Sequence, residues 1–263
     1  MGVSVKRLGR AFGVAAGVLV GVVGVAGCGG VDAGAAPAES KVFPFRGESL
    51  VVDSDGSDLV LVPADVDGVE VTRQVDGWVV FGEGPSPSWR LEAGRLTLRV
   101  SCDALVDACG ARHEVRVPRG VAVTVESGDG DVTADGFAGA LAVRADNGDL
   151  TVRGSGGPLE VRSDNGDVRV ERFAGRRLVA YSDNGDVRLA PVAVPDRVEA
   201  VSDNGSVTVE LPRAGGRGAT PQYAVDARSD NGTVDVAVPI DAASRHVVEA
   251  RSDNGDVSVR AAN

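Results

Sequence analysis

SDNGDV, at Ser163 to Val168, is a six-residue acidic phrase that occurs in seven identical or near-identical copies. The other copies begin at Ser127, Ala145, Ser182, Ser202, Ser229 and Ser252. The glycines of successive copies are 18, 18, 19, 20, 27 and 23 residues apart, and the longest interval contains an insertion, RAGGRGATPQ, at 213–222. Self-similarity at such a period predicts an architecture in which each repeat stacks on its neighbours.

Apolar and polar side chains alternate on both sides of each phrase. In the copy around Gly166, the apolar positions are Leu159, Val161, Val168 and Val170, and the other copies repeat this arrangement. Alternation with a period of two predicts β-strands with one buried face. Each repeat is therefore expected to form a strand, a DNG turn, a second strand and a second turn, and the protein to be all-β.

Two all-β architectures are compatible with this pattern. The small inward side chains of one repeat cannot form a core alone, which favours stacking into a solenoid. Asn-Gly is also a strong signal for a two-residue hairpin, so an antiparallel meander is the alternative. A hairpin would place Arg162 opposite Arg169, a destabilising pair, although stacking also places Arg228 beside Arg251. We expect a single-domain β-solenoid of stacked two-strand coils, each of roughly 18–23 residues.

The sequence divides into four predicted segments. We assign 1–27 to a lipoprotein signal peptide, 28–40 to a lipidated cysteine and flexible tether, 41–120 to an N-terminal cap with degenerate β-coils, and 121–263 to the regular solenoid with its seven repeats. Terminal units of a solenoid are usually atypical because they close an otherwise open edge. The irregular strands before the first clean repeat are therefore expected to belong to the same fold.

The first residues predict export. Lys6, Arg7 and Arg10 precede an apolar stretch that ends in Val-Ala-Gly-Cys at 25–28. This arrangement is typical of a secretory signal and resembles the lipobox of bacterial lipoproteins, which implies acylation (palmitate) of Cys28. A lipid chain contributes about 0.8 kcal/mol per buried CH₂, so several chains would anchor the protein to the outer face of the cytoplasmic membrane. An ordinary secretory signal and an uncleaved anchor are the alternatives.

The net charge limits the classes of partner that we expect, and the two remaining cysteines predict a disulfide. The formal net charge of −11 does not attract nucleic acid or anionic lipid headgroups. Cys102 and Cys109 are an even pair on an exported chain, which predicts a disulfide, with a redox or metal role as the alternative. The expected partners are the membrane, through the N-terminal lipid, and an unidentified protein or glycan of the envelope or exterior.

The stretch CGARHEVRVPRGVAVTVESGDGDVTADGFAGALAVRADNGDLTV, at 109–152, resembles a widespread bacterial family of tandem β-strand-repeat proteins. That family carries a candidate-adhesin label and otherwise counts as a domain of unknown function. The resemblance covers roughly Leu50 to Asn263. It implies a β-solenoid at the cell surface, and it transfers no catalytic residue.

Three roles compete for the repeated phrase. In the first, it forms only a corner, because Gly and Asn tolerate left-handed backbone and Asp and Ser bond nearby backbone groups. The turn-forming residues would be Asn147, Gly148, Asn165, Gly166, Asn184, Gly185, Asn204, Gly205, Asn231, Gly232, Asn254 and Gly255.

In the second role, stacked carboxylates bind calcium weakly, since hard cations take six to eight oxygen ligands. The candidate metal ligands are Asp146, Asp149, Asp164, Asp167, Asp183, Asp186, Asp253 and Asp256. The sequence lacks both the glycine-rich nonapeptide of known calcium-binding repeats and the EF-hand loop. No other cofactor is expected.

In the third role, two carboxylates catalyse polysaccharide cleavage. Acid and base roles require carboxylates in unlike surroundings, whereas these recur in equivalent ones. The sequence also lacks a P-loop, a nucleophile elbow and an HExxH motif. We therefore expect a non-enzymatic, surface-displayed scaffold for adhesion or interaction. A scaffold for envelope maintenance or stress signalling and a calcium-binding module are the alternatives.

Overall fold

The computed structural model describes residues 36–79, 85–101, 107–215 and 218–262, with only the backbone described at 78, 79 and 107–109. Within these ranges the chain forms strands and no α-helix, and none of the described residues forms a helix long and apolar enough to cross a membrane. The strands near the N-terminus are β1 Ala38–Pro44, β2 Ser49–Asp55, β3 Asp58–Ala64, β4 Gly68–Val79, β5 Ser86–Glu92, β6 Arg95–Ser101 and β7 Asp107–Pro118.

The remaining strands carry the repeats, two strands to each repeat. They are β8 Ala122–Asp129, β9 Val132–Asp135, β10 Leu141–Asn147, β11 Leu150–Arg153, β12 Leu159–Asn165, β13 Val168–Phe173, β14 Arg177–Asn184, β15 Val187–Pro191, β16 Arg197–Asn204, β17 Val207–Leu211, β18 Ala224–Ser229, β19 Val234–Ala237, β20 Val247–Asn254 and β21 Val257–Ala261.

Two sheets run the length of the stack. One has 11 strands in the order β1-β4-β7-β3-β9-β11-β13-β15-β17-β21-β19, and the other has 10 in the order β18-β20-β16-β14-β12-β10-β8-β2-β6-β5. Each repeat contributes one strand to each sheet, and strands of neighbouring repeats pair in parallel with the motif in register, as Ser163↔Ser182 and Asn165↔Asn184 show. Parallel pairing between repeats confirms the β-solenoid and excludes the meander, which requires antiparallel hairpins.

The order of coils in the stack departs from their order in the sequence at both ends. Near the N-terminus, the coil of β2 and β3 lies between the β6–β7 coil and the β8–β9 coil. Near the C-terminus, the last coil, β20–β21, inserts between β16–β17 and β18–β19. The 213–222 insertion gives the chain enough length to skip one position in the stack. The final coil, β20–β21, then occupies that position.

The core is the column of inward side chains between the two sheets. Leu178, Ala180, Val187 and Leu189 are buried, as are the same positions in the other interior coils. Phe137 and Phe173, from the GFAG and RFAG sequences, are also buried. The predicted inward columns are therefore the actual core of the interior coils.

The first end of the stack is capped. β4 runs antiparallel to both β7 and β1, and β5 runs antiparallel to β6. The Trp89 and Phe43 rings meet edge to face at 6.3 Å, and the Arg73 guanidinium lies 4.0 Å from the Trp89 ring centroid. This aromatic contact covers the apolar end of the core.

The other end of the stack is open. Beyond β18 and β19 the described residues contribute no further strand to either sheet. The inward positions Val225 and Val236 are only partly buried there, and Val234 is 45% exposed. These positions follow the apolar pattern of every other repeat, but no layer formed by the described residues covers them.

Candidate functional site

The motif serine faces inward and joins neighbouring layers. Ser182 is fully buried, and its hydroxyl donates to the Gly166 carbonyl of the preceding coil at 2.9 Å. The same bond recurs with distances of 2.7–3.2 Å from Ser163, Ser202, Ser229 and Ser252. A buried hydroxyl needs such a partner because leaving it unpaired costs free energy.

The motif glycine is required by close approach. A Cβ placed on Gly166 would lie 2.1 Å from the Gly148 carbonyl oxygen, and one on Gly185 would lie 2.2 Å from that of Gly166. No side chain fits at such distances. The glycine column therefore sets how closely the layers pack at this corner.

The motif asparagines form a hydrogen-bonded ladder along the stack. Asn184 donates from Nδ2 to Asn165 Oδ1 at 3.0 Å and accepts from Asn204 Nδ2 at 3.1 Å. The Nδ2 group also lies 3.2 Å from the Asp164 carbonyl. The ladder starts at the Asp129 carboxylate, which accepts from Asn147 at 2.9 Å, and ends at Asn231 in the open-end coil.

The second motif aspartate accepts a backbone N–H from the next layer. Asp149 Oδ1 accepts from the amide of Asp167 at 2.8 Å, and Asp167 Oδ1 accepts from that of Asp186 at 2.8 Å. At the open end, Asp256 accepts from both the amide and the hydroxyl of Thr233 at 2.8 Å, and these bonds lower the pKa of its carboxyl. This column is a set of interlayer acceptors.

The first motif aspartate lies on the outer face of the 10-stranded sheet beside arginine. Asp164 Oδ1 is 3.9 Å from Arg162 Nε, and Asp183 Oδ1 is 3.8 Å from Arg162 Nη2. Neither oxygen has a hydrogen-bond partner among the described residues. One guanidinium therefore serves two successive carboxylates through charge alone.

Tyr181, on the outer face of the 10-stranded sheet, contacts residues of two neighbouring layers. Its hydroxyl donates to Asp203 Oδ1 at 2.9 Å, and the Arg162 guanidinium lies 4.4 Å from its ring centroid. Partial burial, together with this bond to Asp203, raises the pKa of Tyr181 to about 12. The tyrosine thus links two layers in a position that other repeats give to Arg, Val or Glu.

The eight candidate calcium ligands fall into two separate columns. Asp146, Asp164, Asp183 and Asp253 belong to the first motif position, and Asp149, Asp167, Asp186 and Asp256 to the second. Within the described ranges, no three His, Cys, Asp or Glu side chains are grouped so that they could hold a metal ion. Calcium binding by these rows stays a prediction.

A buried Ser–His pair, which no motif of the sequence indicates, lies near the capped end. His113 Nδ1 is 3.0 Å from Ser57 Oγ, which is 2.8 Å from Ser54 Oγ. All three side chains are buried, and burial lowers the pKa of His113 to about 4, with a smaller contribution from the charge of Arg73. Because no substrate can reach it in this structure, the pair is part of the core.

Charged residues line shallow depressions on the outer surface. One of about 200 Å³ on the 11-stranded sheet is lined by Arg169, Arg188 and Arg260 among acidic neighbours. Another, of about 580 Å³, lies beside the 213–222 insertion and includes Arg176, Arg245 and His246. Arg260 pairs with Glu210 at 2.5 Å and Arg176 with Asp196 at 2.7 Å, so much of this charge is already paired.

The predicted modification sites lie outside the described side chains. Cys28 and Cys102 fall in ranges that the structure does not describe. Only the backbone of Cys109, in β7, is described, and it pairs with Gly77 of β4. Acylation of Cys28 and the Cys102–Cys109 disulfide stay predictions.

Together, the stack and its corner ladders define a two-sheet β-solenoid whose repeated phrase serves interlayer bonding. A family model described as Toastrack DUF4097 matches residues 114–260, more than half of the 263-residue chain. The chain belongs to this family, a domain of unknown function, which confirms the resemblance in the repeats. No curated protein matches the chain.

Two solved structures are similar at low identity. One is a candidate cell adhesion protein from Clostridium sporogenes ATCC 15579, 13% identical, with a TM-score of 0.37 over 85% of this chain and 98% of that chain. The other is a candidate adhesin from Bacteroides fragilis NCTC 9343, 14% identical, with a TM-score of 0.49 over 85% and 96%.

Proposed function

We propose that this protein is an exported, lipid-anchored and non-enzymatic β-solenoid that serves as a rigid scaffold for adhesion at the cell surface. The observation that supports the proposal is that the motif residues of the interior coils contact neighbouring layers. Serine, glycine, asparagine and the second aspartate all bond or contact a neighbouring layer, as Ser182, Gly185, Asn184 and Asp186 do. The phrase that dominates the sequence is thus accounted for by stacking.

Rigidity is the property that this arrangement supplies. The corners of the coils around Gly166, Gly185 and Gly205 each add a serine bond, an asparagine bond and an aspartate–amide bond to the parallel strand ladders. Networks of satisfied polar groups hold one arrangement of the backbone. A stiff rod of this kind suits display at a distance from a membrane.

The lipid anchor is proposed from the lipobox-like sequence at 25–28 and from the position of the first described strand. β1 begins at Ala38 and is the outermost strand at the capped end of the 11-stranded sheet. An anchor at Cys28 would thus attach the capped end to the membrane and leave the open end distal.

The test follows the full chain in its native host. We expect it in the membrane fraction, labelled by fatty acid, and cleaved by protease added to intact cells. Cys28→Ser should abolish the label and the membrane association. Cells lacking the chain should adhere less, and wild-type chain should restore adhesion where Cys28→Ser does not. A cytosolic product, or adhesion unchanged by deletion, would overturn the proposal.

A further inference from the structure

On the outer side of the stack, Tyr223, the residue before β18, already pairs with the Pro239 carbonyl and the Asp241 amide, both at 3.0 Å. From Val225 onward, the outer edge of β18 leaves backbone groups available for another strand. The amides of Ala224 and Asp230 donate towards β20, to the carbonyls of His246 and Ser252 at 2.9 and 3.1 Å. Backbone groups alternate in direction along a strand, so those of Val225, Ala227 and Ser229 point away from the stack. Unpaired strand edges are templates for pairing with another chain.

The side chains of this strand are self-complementary. Asp226 and Arg228 flank Ala227 on the outer face, and Arg228 Nε donates to Asp226 Oδ1 at 2.7 Å within the chain. If a second copy pairs antiparallel to β18 about a twofold axis at Ala227, Asp226 of each copy lies opposite Arg228 of the other. Opposite charges facing each other across strands are stabilising.

The backbone and the charges select the same register. Because the N–H and C=O of Ala227 point outward, Ala227 at the twofold axis forms a hydrogen-bonded pair with Ala227 of the second copy. The Asp226–Arg228 positions are then non-hydrogen-bonded pairs, in which side chains of antiparallel strands lie closest. A register shifted by one residue would lose both features.

The second sheet ends in the same layer and is equally open. β19 forms the last strand of the 11-stranded sheet, and within the described part of the chain no further layer covers its inward residues Val234 and Val236. A twofold axis perpendicular to the sheets brings β19 beside its own copy and covers these side chains. Burial of apolar surface would add to the backbone bonds.

From these observations we infer that the open end, formed by β18 and β19, binds the open end of a second copy of this chain. The inference rests on the proposed function and sharpens it. The two open ends meet at the centre, and the capped ends lie far apart, because each 11-stranded sheet spans roughly 50 Å at about 4.8 Å per strand. Copies anchored at their capped ends in two different membranes would hold the membranes together.

Charge-reversal variants test the register directly. The chain from Gly29 onward contains every strand of the described fold, and its self-association is measured by sedimentation up to about 1 mM, because so small an interface predicts a Kd in the micromolar to millimolar range. Asp226→Arg alone and Arg228→Asp alone should each weaken self-association by roughly tenfold or more, since the twofold axis places like charges opposite twice.

A mixture of the two variants should associate again, because positions 226 and 228 are then both positive in one chain and both negative in the other. Arg144→Asp is the matched control, since Arg144 occupies the same outward column in an interior coil, and it should leave self-association unchanged. Ala227→Pro removes an edge N–H that has no partner among the described residues and should also abolish pairing.

Beads to which the chain is attached through its N-terminus test whether copies anchored on two different surfaces bind each other. Wild-type beads should aggregate, beads of either charge variant should not, and mixed beads of the two variants should. A wild-type chain that stays monomeric at about 1 mM, or a mixture that fails to associate, would overturn the inference. Loss of pairing in an exported, adhesive chain refutes this inference alone, whereas pairing by a chain that is not exported refutes the proposed function.

Discussion

At the capped end of the stack, β4 and β5 run antiparallel to the outermost coil strands, and Trp89 packs on Phe43 over the core. At the open end, β18 and β19 follow the repeat pattern to the last layer, and Val234 remains 45% exposed. The cap is built from sequence that departs from the repeat, whereas the open end is built from a repeat. A unit that is the same in every layer can continue a stack but cannot end it.

The largest effect that separates the interior from the open end is expected at the glycine column. Gly185→Ala places a Cβ 2.2 Å from the Gly166 carbonyl oxygen, with layers on both sides that prevent relief. We expect a loss of roughly 3 kcal/mol or more in the free energy of unfolding, measured in urea. Gly232→Ala makes the same 2.2 Å approach to Gly255, but its turn is free to move outward, so its loss should be less than half as large. Equal losses would contradict the difference between the two regions.

The capped end should be the acid-sensitive one. The pKa of His113 is lowered from 6.5 to about 4 by burial, so as pH falls below 6.5 the unfolded chain takes up the proton before the folded chain does. Above pH 6.5 this protonation does not reduce the free energy of unfolding. As the pH falls towards 4, the free energy of unfolding decreases by roughly 3 kcal/mol. His113→Gln should reduce this pH dependence in urea unfolding. A slope unaffected by that change would contradict the assignment.

The asparagine ladder should show a smaller form of the same contrast. Asn184→Ala removes hydrogen bonds on both sides, and we expect a loss of about 1–2 kcal/mol in the free energy of unfolding. Asn231→Ala removes only donations to Asn254 and Asp253, so a loss of about 1 kcal/mol or less is expected. A larger loss at Asn231 than at Asn184 would reverse the contrast.

Calcium should have the smallest effect of all. Since Asp149 and Asp167 already accept backbone amides at 2.8 Å, we expect a change of less than about 0.5 kcal/mol in stability between calcium and chelator. Melting curves and calorimetric titration of the chain from Gly29 measure it. Saturable heat with a raised Tm would instead assign the aspartate rows to a ligand site, and Asp149→Asn with Asp167→Asn should then remove it.

The strands, the inward columns and the stacking could all be predicted, because each follows from alternation and from the period of the repeat. The order of the layers could not. Every repeat presents the same motif, so nothing in Gly232 or Gly255 states that Gly255 lies beside Gly205, and the insertion at 213–222 is equally compatible with a plain loop.

The roles within the corner were only partly predictable for a related reason. Local sequence predicts that Asn165 and Asn184 form turns, but their hydrogen-bond partners lie in neighbouring repeats, which local turn propensities do not reveal. The buried His113 was missed because its partner, Ser57, is 56 residues away and belongs to no repeated pattern. Contacts between layers are visible only when the order of the layers is known.

Hydrogen exchange at the motif glycines tests most directly whether the SDNGDV phrase holds neighbouring layers together by hydrogen bonds. The amides of Gly148, Gly166 and Gly185 donate to asparagine carbonyls of the next layer at 2.9–3.1 Å. They should therefore exchange as slowly as strand amides of the interior, although each lies in a turn. Slow exchange at these three amides is the result we predict. Exchange as fast as in an ordinary exposed turn would contradict the account.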